Sequence, residues 1–239
     1  MLTMKNQIIL TIISILLASC NHAQENKNLP AIQKHFNVKG MVKEIETTTK
    51  VITTMGERNL VSKTTFNKIG EPVETIDYDE NGKIKSREPW TKASEVEDKG
   101  WELIKEFDKQ KRLVKSTKYN NGKIAFENYY KYDLNGKKIE HYEKIHGEKI
   151  EYKYLNNLVS EEKTSNEAED GKFYWFCTKK FNYDKQLKLI EMIVYFSPIN
   201  ETRNCKYTYK YDSKVSLIET IGYTRDEIFE KTIRKITYN

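Results

Sequence analysis

An aromatic residue followed by a short polar turn recurs along most of this chain, and that recurrence constrains the fold more than any other feature. The clearest copies are Phe66-Asn-Lys-Ile-Gly70, Tyr78-Asp-Glu-Asn-Gly82, Phe107-Asp-Lys-Gln-Lys111, Tyr119-Asn-Asn-Gly122 and Tyr132-Asp-Leu-Asn-Gly136. Degenerate copies follow at Tyr154-Leu-Asn-Asn157, Tyr183-Asp-Lys-Gln186 and Tyr211-Asp-Ser-Lys214. Asn-Gly closes three of them, and that pair marks a tight hairpin because both residues accept positive φ. Asp79, Asn81 and Gly82, then Asn121 and Gly122, then Asp133, Asn135 and Gly136 are therefore the expected hairpin-turn residues. A Lys and an aliphatic residue follow nearly every turn.

Between the turns, side chains alternate with the period of a strand. Cys205, Tyr207, Tyr209 and Tyr211 share one face while Lys206, Thr208 and Lys210 take the other. Closely spaced turns make consecutive strands antiparallel neighbours, which predicts a meander of about a dozen strands. The expected fold is all-β: an antiparallel meander of repeated hairpins, strongly twisted and curved, half-open or barrel-like. Residues 173–178 and 187–196 carry apolar side chains on both faces, and are expected to be central strands covered on both sides. The polar stretch 88–100 has no repeat and reads as a surface loop or a boundary between sheet halves.

The aromatic-Asp-x-x-Gly-Lys core resembles the YD (Rhs-type) repeats of bacterial envelope and secreted proteins, over most of residues 60–225. Spacing is uneven here, and Gly is missing from the last two copies. The resemblance implies a repeated β architecture used as shell, spacer or contact surface.

One copy also fits a different template. Asp77, Asp79, Asn81, Gly82 and Glu88 occupy the ligand and turn positions of an EF-hand calcium loop. That loop requires a helix on each side. Here Pro72, Val73, Thr75 and Ile76 favour extended chain upstream, and Pro89 blocks a helix directly downstream. The stretch reads as a hairpin, and no metal site is expected.

The N-terminus speaks to location. Lys5 precedes an apolar run over residues 8–17 that is too short for a stable membrane span but suits a signal peptide. Leu17-Ala-Ser-Cys20 looks like a lipobox, with cleavage between Ser19 and Cys20 and acylation of Cys20. The expected organisation is a lipoprotein signal peptide over 1–19, a polar tether with a short helix (residues 31–36) over 20–40, and a β-repeat domain over 41–239. Acylation ties such a chain to a membrane without spanning it. The expected location is the bacterial cell envelope, on the outer membrane, lipid-anchored.

Composition narrows the partners. The net charge of +6 comes from 41 basic residues, only six of them Arg. Nucleic-acid readers favour the planar Arg fork, whereas Lys alternating with Glu on strands protects edges and solubilises a face. No nucleic-acid partner is expected. His35, His141 and His146 are scattered, without a second ligand at metal spacing. Phosphate loops, dinucleotide fingerprints and nucleophile elbows are absent from the sequence. Asp77, Asp79, Glu161 and Glu162 are the carboxylates open to acid/base work, with turn and surface roles as the default. Trp90 and Trp101 flank the non-repeating stretch as partly buried anchors or as a contact for glycan or peptide.

The function that follows is a noncatalytic binding or structural module, lipid-anchored, facing an envelope protein, a glycan or a toxin. No cofactor is expected. A carrier of a hydrophobic ligand in a curled sheet is the alternative, and a glycan-active enzyme a more distant one. Cys177 and Cys205 occupy equivalent positions six residues before Tyr183 and Tyr211. One intervening strand separates them by about 9.6 Å, beyond the roughly 6.8 Å that a disulfide spans, so both thiols are expected to be reduced and packed.

Overall fold

The computed structural model describes residues 38, 40–53, 56–90, 100–197 and 204–239. Ser19, Cys20, the tether helix at 31–36, His35 and most of the non-repeating stretch lie outside these residues. Fifteen strands follow in chain order. The first seven are β1 (Val42–Thr53), β2 (Gly56–Phe66), β3 (Pro72–Tyr78), β4 (Ile84–Pro89), β5 (Trp101–Phe107), β6 (Leu113–Asn120) and β7 (Lys123–Tyr132). The next four are β8 (Lys138–Glu143), β9 (Glu148–Leu155), β10 (Leu158–Glu167) and β11 (Phe173–Tyr183). The last are β12 (Leu189–Phe196), β13 (Cys205–Tyr211), β14 (Leu217–Thr224) and β15 (Glu227–Tyr238).

The order in the sheet is β4-β3-β2-β1-β15-β14-β13-β12-β11-β10-β9-β8-β7-β6-β5. The fold is an all-β antiparallel meander, and it is not closed into a barrel: β4 and β5 each have one neighbour. Both flank the stretch without a repeat. The strands belong to two compact units, one reaching to Trp90 and resuming over Tyr207–Asn239, the other Thr91–Lys206.

Turn chemistry explains why the chain reverses where it does. Asp79 Oδ1 accepts the backbone N–H of Asn81 at 2.9 Å and of Lys83 at 2.8 Å. Around it, Asp79 N–H donates to the Lys83 carbonyl and Gly82 N–H to the Asp79 carbonyl. This is a type I turn followed by a left-handed residue, a three-residue hairpin loop. Asp108, Asp133, Asp184 and Asp212 do the same, and Asn67 does so with its amide oxygen. Only the fourth turn residue is left-handed, as at Gly82 and Gly136. Asn81 and Asn135 are not, which corrects the reason given for them: the Asp two residues earlier, capturing two N–H groups, sets these turns.

Asn121-Gly122 is the other kind. Both residues have positive φ, 49° and 75°, as a two-residue hairpin requires. Asn156-Asn157 and Arg225-Asp226 repeat it without glycine. The Tyr154 copy is thus a two-residue turn and not a degenerate version of the longer one.

Burial corrects a second expectation. On β12, Leu189, Met192, Val194 and Phe196 are buried, while Ile190 and Tyr195 are exposed. On β11, Cys177 and Phe181 are buried but Phe173, Tyr174 and Trp175 are exposed. β12 and the second half of β11 are therefore covered on one face, and the start of β11, with three consecutive exposed aromatics, on neither. Cys177 and Cys205 sit on strands separated by β12, buried and not disulfide-bonded. Burial pushes the Cys177 thiol above its ordinary value, so it packs as a neutral group.

In the first unit, Val38, Val42, Ile45 and Phe66 form a buried cluster, with Ile236 and Tyr238 against it. Register pairs Ile45 with Ile236 on one side and with Thr64 on the other.

Candidate functional site

A groove of about 510 Å³ opens on β1, β2 and β3 and reaches the turn that follows β3. Strand pairing assembles it: Glu46 lies opposite Lys63, Thr48 opposite Val61, and Val61 opposite Tyr78. Asn59, Asp79, Glu80 and Gly82 complete its rim. Cross-strand neighbours share a face, so these side chains project together.

The groove mixes two chemistries. Val61 and the Tyr78 ring are half-buried and give it an apolar floor. Around them stand the carboxylates of Glu46, Asp79 and Glu80 and the Asn59 amide. Lys63 is the nearby cation, but its ammonium bonds to Glu44 at 2.8 Å, and that bond holds it above the ordinary lysine value. Asp79 gives its Oδ1 to the turn.

The hairpin fixes what the calcium-like stretch is. Thr75 pairs with Glu88 and Tyr78 with Ile84, so Glu88 lies far along β4 from Asp79. Asp77 accepts a hydrogen bond from the Ser86 hydroxyl at 2.9 Å. Among the described residues, no three His, Cys, Asp or Glu side chains converge as a metal cage would require.

Other expected site residues are dispersed by the fold. Asn121, Gly122, Asp133, Asn135 and Gly136 are turn residues of the second unit and do not approach the groove's strands in sequence or pairing. Glu161 bonds to Lys153 at 2.7 Å, and buried Glu162 faces Lys179 at 3.6 Å. His141 Nε2 meets the Asn128 side-chain Oδ1 at 2.8 Å, and its ring stacks on Tyr130. His146 Nδ1 meets Glu143 at 2.6 Å. Trp90 donates to the Thr75 hydroxyl at 2.8 Å, and Lys118 covers the Trp101 ring at 4.2 Å.

Sequence reasoning reached Tyr78, Asp79 and Gly82 but missed Glu46, Asn59 and Val61. Alternation alone places Asn59, Val61 and Lys63 on one face of their strand. Which residues of β1 they meet depends on the β1–β2 register, which alternation alone does not give.

No family model matches the sequence, and no curated protein sequence matches it. Solved structures give likenesses of sheet architecture. A porin-like protein from Bacteroides uniformis aligns with a TM-score of 0.42 and 8% identity over 82% of this chain and 98% of its own. The Photorhabdus luminescens Tc holotoxin pore gives 0.39 and 12% over 84% of this chain, and the TcdB2-TccC3-Cdc42 structure gives 0.32 and 13% over 84%. This chain spans only 12% and 13% of those two toxin chains.

Proposed function

We propose that this chain is a lipid-anchored, noncatalytic binding module of the bacterial cell envelope, and that the β1–β3 groove receives a glycan. The observation that carries the reading is the groove's composition: an aromatic ring and a valine beside carboxylates and an amide. Sugars offer C–H faces that stack on a ring and hydroxyls that pair with Asp, Glu and Asn. The charged rim favours such a polyhydroxylated ligand over the apolar cargo of a lipid carrier. The Leu17–Cys20 segment behind a short apolar run supports the anchor. The YD-repeat resemblance supports a contact surface.

Calorimetric titration of the protein with envelope glycan fragments tests the groove. Saturable binding that falls roughly tenfold in Tyr78→Ala, with folding intact, is the expected result. Absence of binding to every fraction, or equal binding by Tyr78→Ala, sinks it. The anchor has its own test: labelled palmitate enters the wild-type chain and not Cys20→Ala.

A further inference from the structure

The turns at Asp108, Asp133, Asn156-Asn157 and Asp184 join β5 to β6, β7 to β8, β9 to β10 and β11 to β12. Antiparallel order sets all four at one end of the second unit's strands. Large apolar side chains stand at that end without cover. Leu134 is 104% exposed, Leu155 66% and Phe107 57%. Leu187, 46% exposed, holds the left-handed position at φ 62° that Gly82 and Gly136 fill in sister turns. A non-glycine residue there is strained, and an exposed leucine offsets little of that by packing.

Charge distinguishes this end as well. Its turns carry Lys109, Lys111, Arg112, Lys137, Lys185 and Lys188. The acids among them are Asp108, Asp133 and Asp184, each accepting two backbone N–H groups of its own turn, and Asp108 also pairs with Arg112 at 2.7 Å. Six cations over three carboxylates, with only Arg112 among the cations paired to one of them, leave the end net positive. Unit one, considered by itself, has a similar feature: Ile69, 68% exposed, tips the Asn67 turn at the end where the chain enters β1.

We infer that this turn end of the second unit docks on an anionic lipid surface, with the leucine tips entering the headgroup layer and the lysines meeting phosphates. Apolar tips set among lysines suit an interface where one layer is apolar and the next is charged. The inference deepens the reading of the chain as membrane-tethered, and the anchor is left out of its test so that the two can fail separately.

The chain from Asn21 onward, which lacks the acylated residue but holds every described residue, is sedimented with vesicles of phosphatidylglycerol and phosphatidylcholine, or of phosphatidylcholine alone. Expected is binding to the anionic vesicles, weakened by salt, and reduced about tenfold in a Leu134→Ser, Leu187→Gly double variant. Leu187→Gly also relieves strain, so the variant keeps or raises its melting temperature and lost binding cannot be ascribed to unfolding. No binding to anionic vesicles, or equal binding by the variant, overturns the inference. Self-association in solution that the same variant abolishes overturns it too, and assigns the end to a second copy of this chain.

Discussion

The Tyr132 hydroxyl donates to the Leu113 carbonyl at 2.8 Å, tying the residue before one hairpin turn to the residue after the preceding turn at the same end of the strands. Tyr154 does the same to Lys138 at 2.7 Å, and Tyr183 to Val159 at 2.9 Å. Cations lie over two of these rings, Arg112 over Tyr132 at 5.0 Å and Lys137 over Tyr154 at 5.2 Å. At these three repeats the tyrosine thus ties its hairpin to the one before it. Tyr132→Phe keeps the ring and leaves a part-buried carbonyl without its donor, which costs about 1 kcal/mol. Urea unfolding checks this; a variant equal to wild type would reduce the ladder to ring packing.

Asp79 supports its turn with one oxygen and two N–H groups, so Asp79→Asn is expected to be tolerated and Asp79→Ala to lose about 1 kcal/mol. Asn67 shows that an amide oxygen suffices in the same geometry. Thermal unfolding with and without calcium serves as the measurement. A melting temperature raised by calcium, and no longer raised in Asp79→Ala, contradicts the hairpin account.

Val215 is a β-branched residue at φ 64°, where sister turns hold glycine. Val215→Gly should stabilise the chain by about 1 kcal/mol, since left-handed backbone strains any L side chain and most of all a branched one. A lower denaturation midpoint in the variant would mean that valine packing outweighs the strain.

Glu230 is 4% exposed, and burial raises its carboxyl above the ordinary value against the opposing hydrogen bond of Thr232. Protonation is therefore easier in the folded chain than in the unfolded one. The stability this contributes is complete below the unfolded value of roughly 4.3 and is lost as pH rises through the folded value. Glu230→Gln should match wild type near pH 4 and melt higher at pH 8. A difference that is constant across that range would show that ionisation of Glu230 plays no part.

Much of the sheet was legible because turns are local. An Asp four residues before a Lys, or an Asn-Gly pair, encodes its own hydrogen bonds, and antiparallel pairing follows from short connections. Exposure of Phe173 and Tyr195 was not legible, since an apolar residue on a strand looks the same whether or not a second layer covers it. Leu187 and Val215 were hidden for the opposite reason: nothing in their side chains signals a left-handed backbone. The groove lies between these cases, with Tyr78 and Asp79 visible in a motif and Glu46 brought in only by register.

Pairing of β1 with β15 has a consequence for the order of folding. Thr49 bonds to Thr232 across 183 residues of chain at 3.0 Å, whereas most other neighbouring strands are joined by a short turn. Hairpins such as β2–β3 can close as soon as they are made, but one side of β1 stays without its partner until the last strand arrives. A chain emerging from its N-terminal end would therefore expose that strand throughout its delivery. Joining residues near Met41 and Asn239, already linked by a backbone hydrogen bond of 2.9 Å, and reopening the chain within 91–99 would turn every pairing into a local one. Such a circular permutant should fold faster than the natural order, because closure of a loop such as the 183 residues between Thr49 and Thr232 is replaced by a turn.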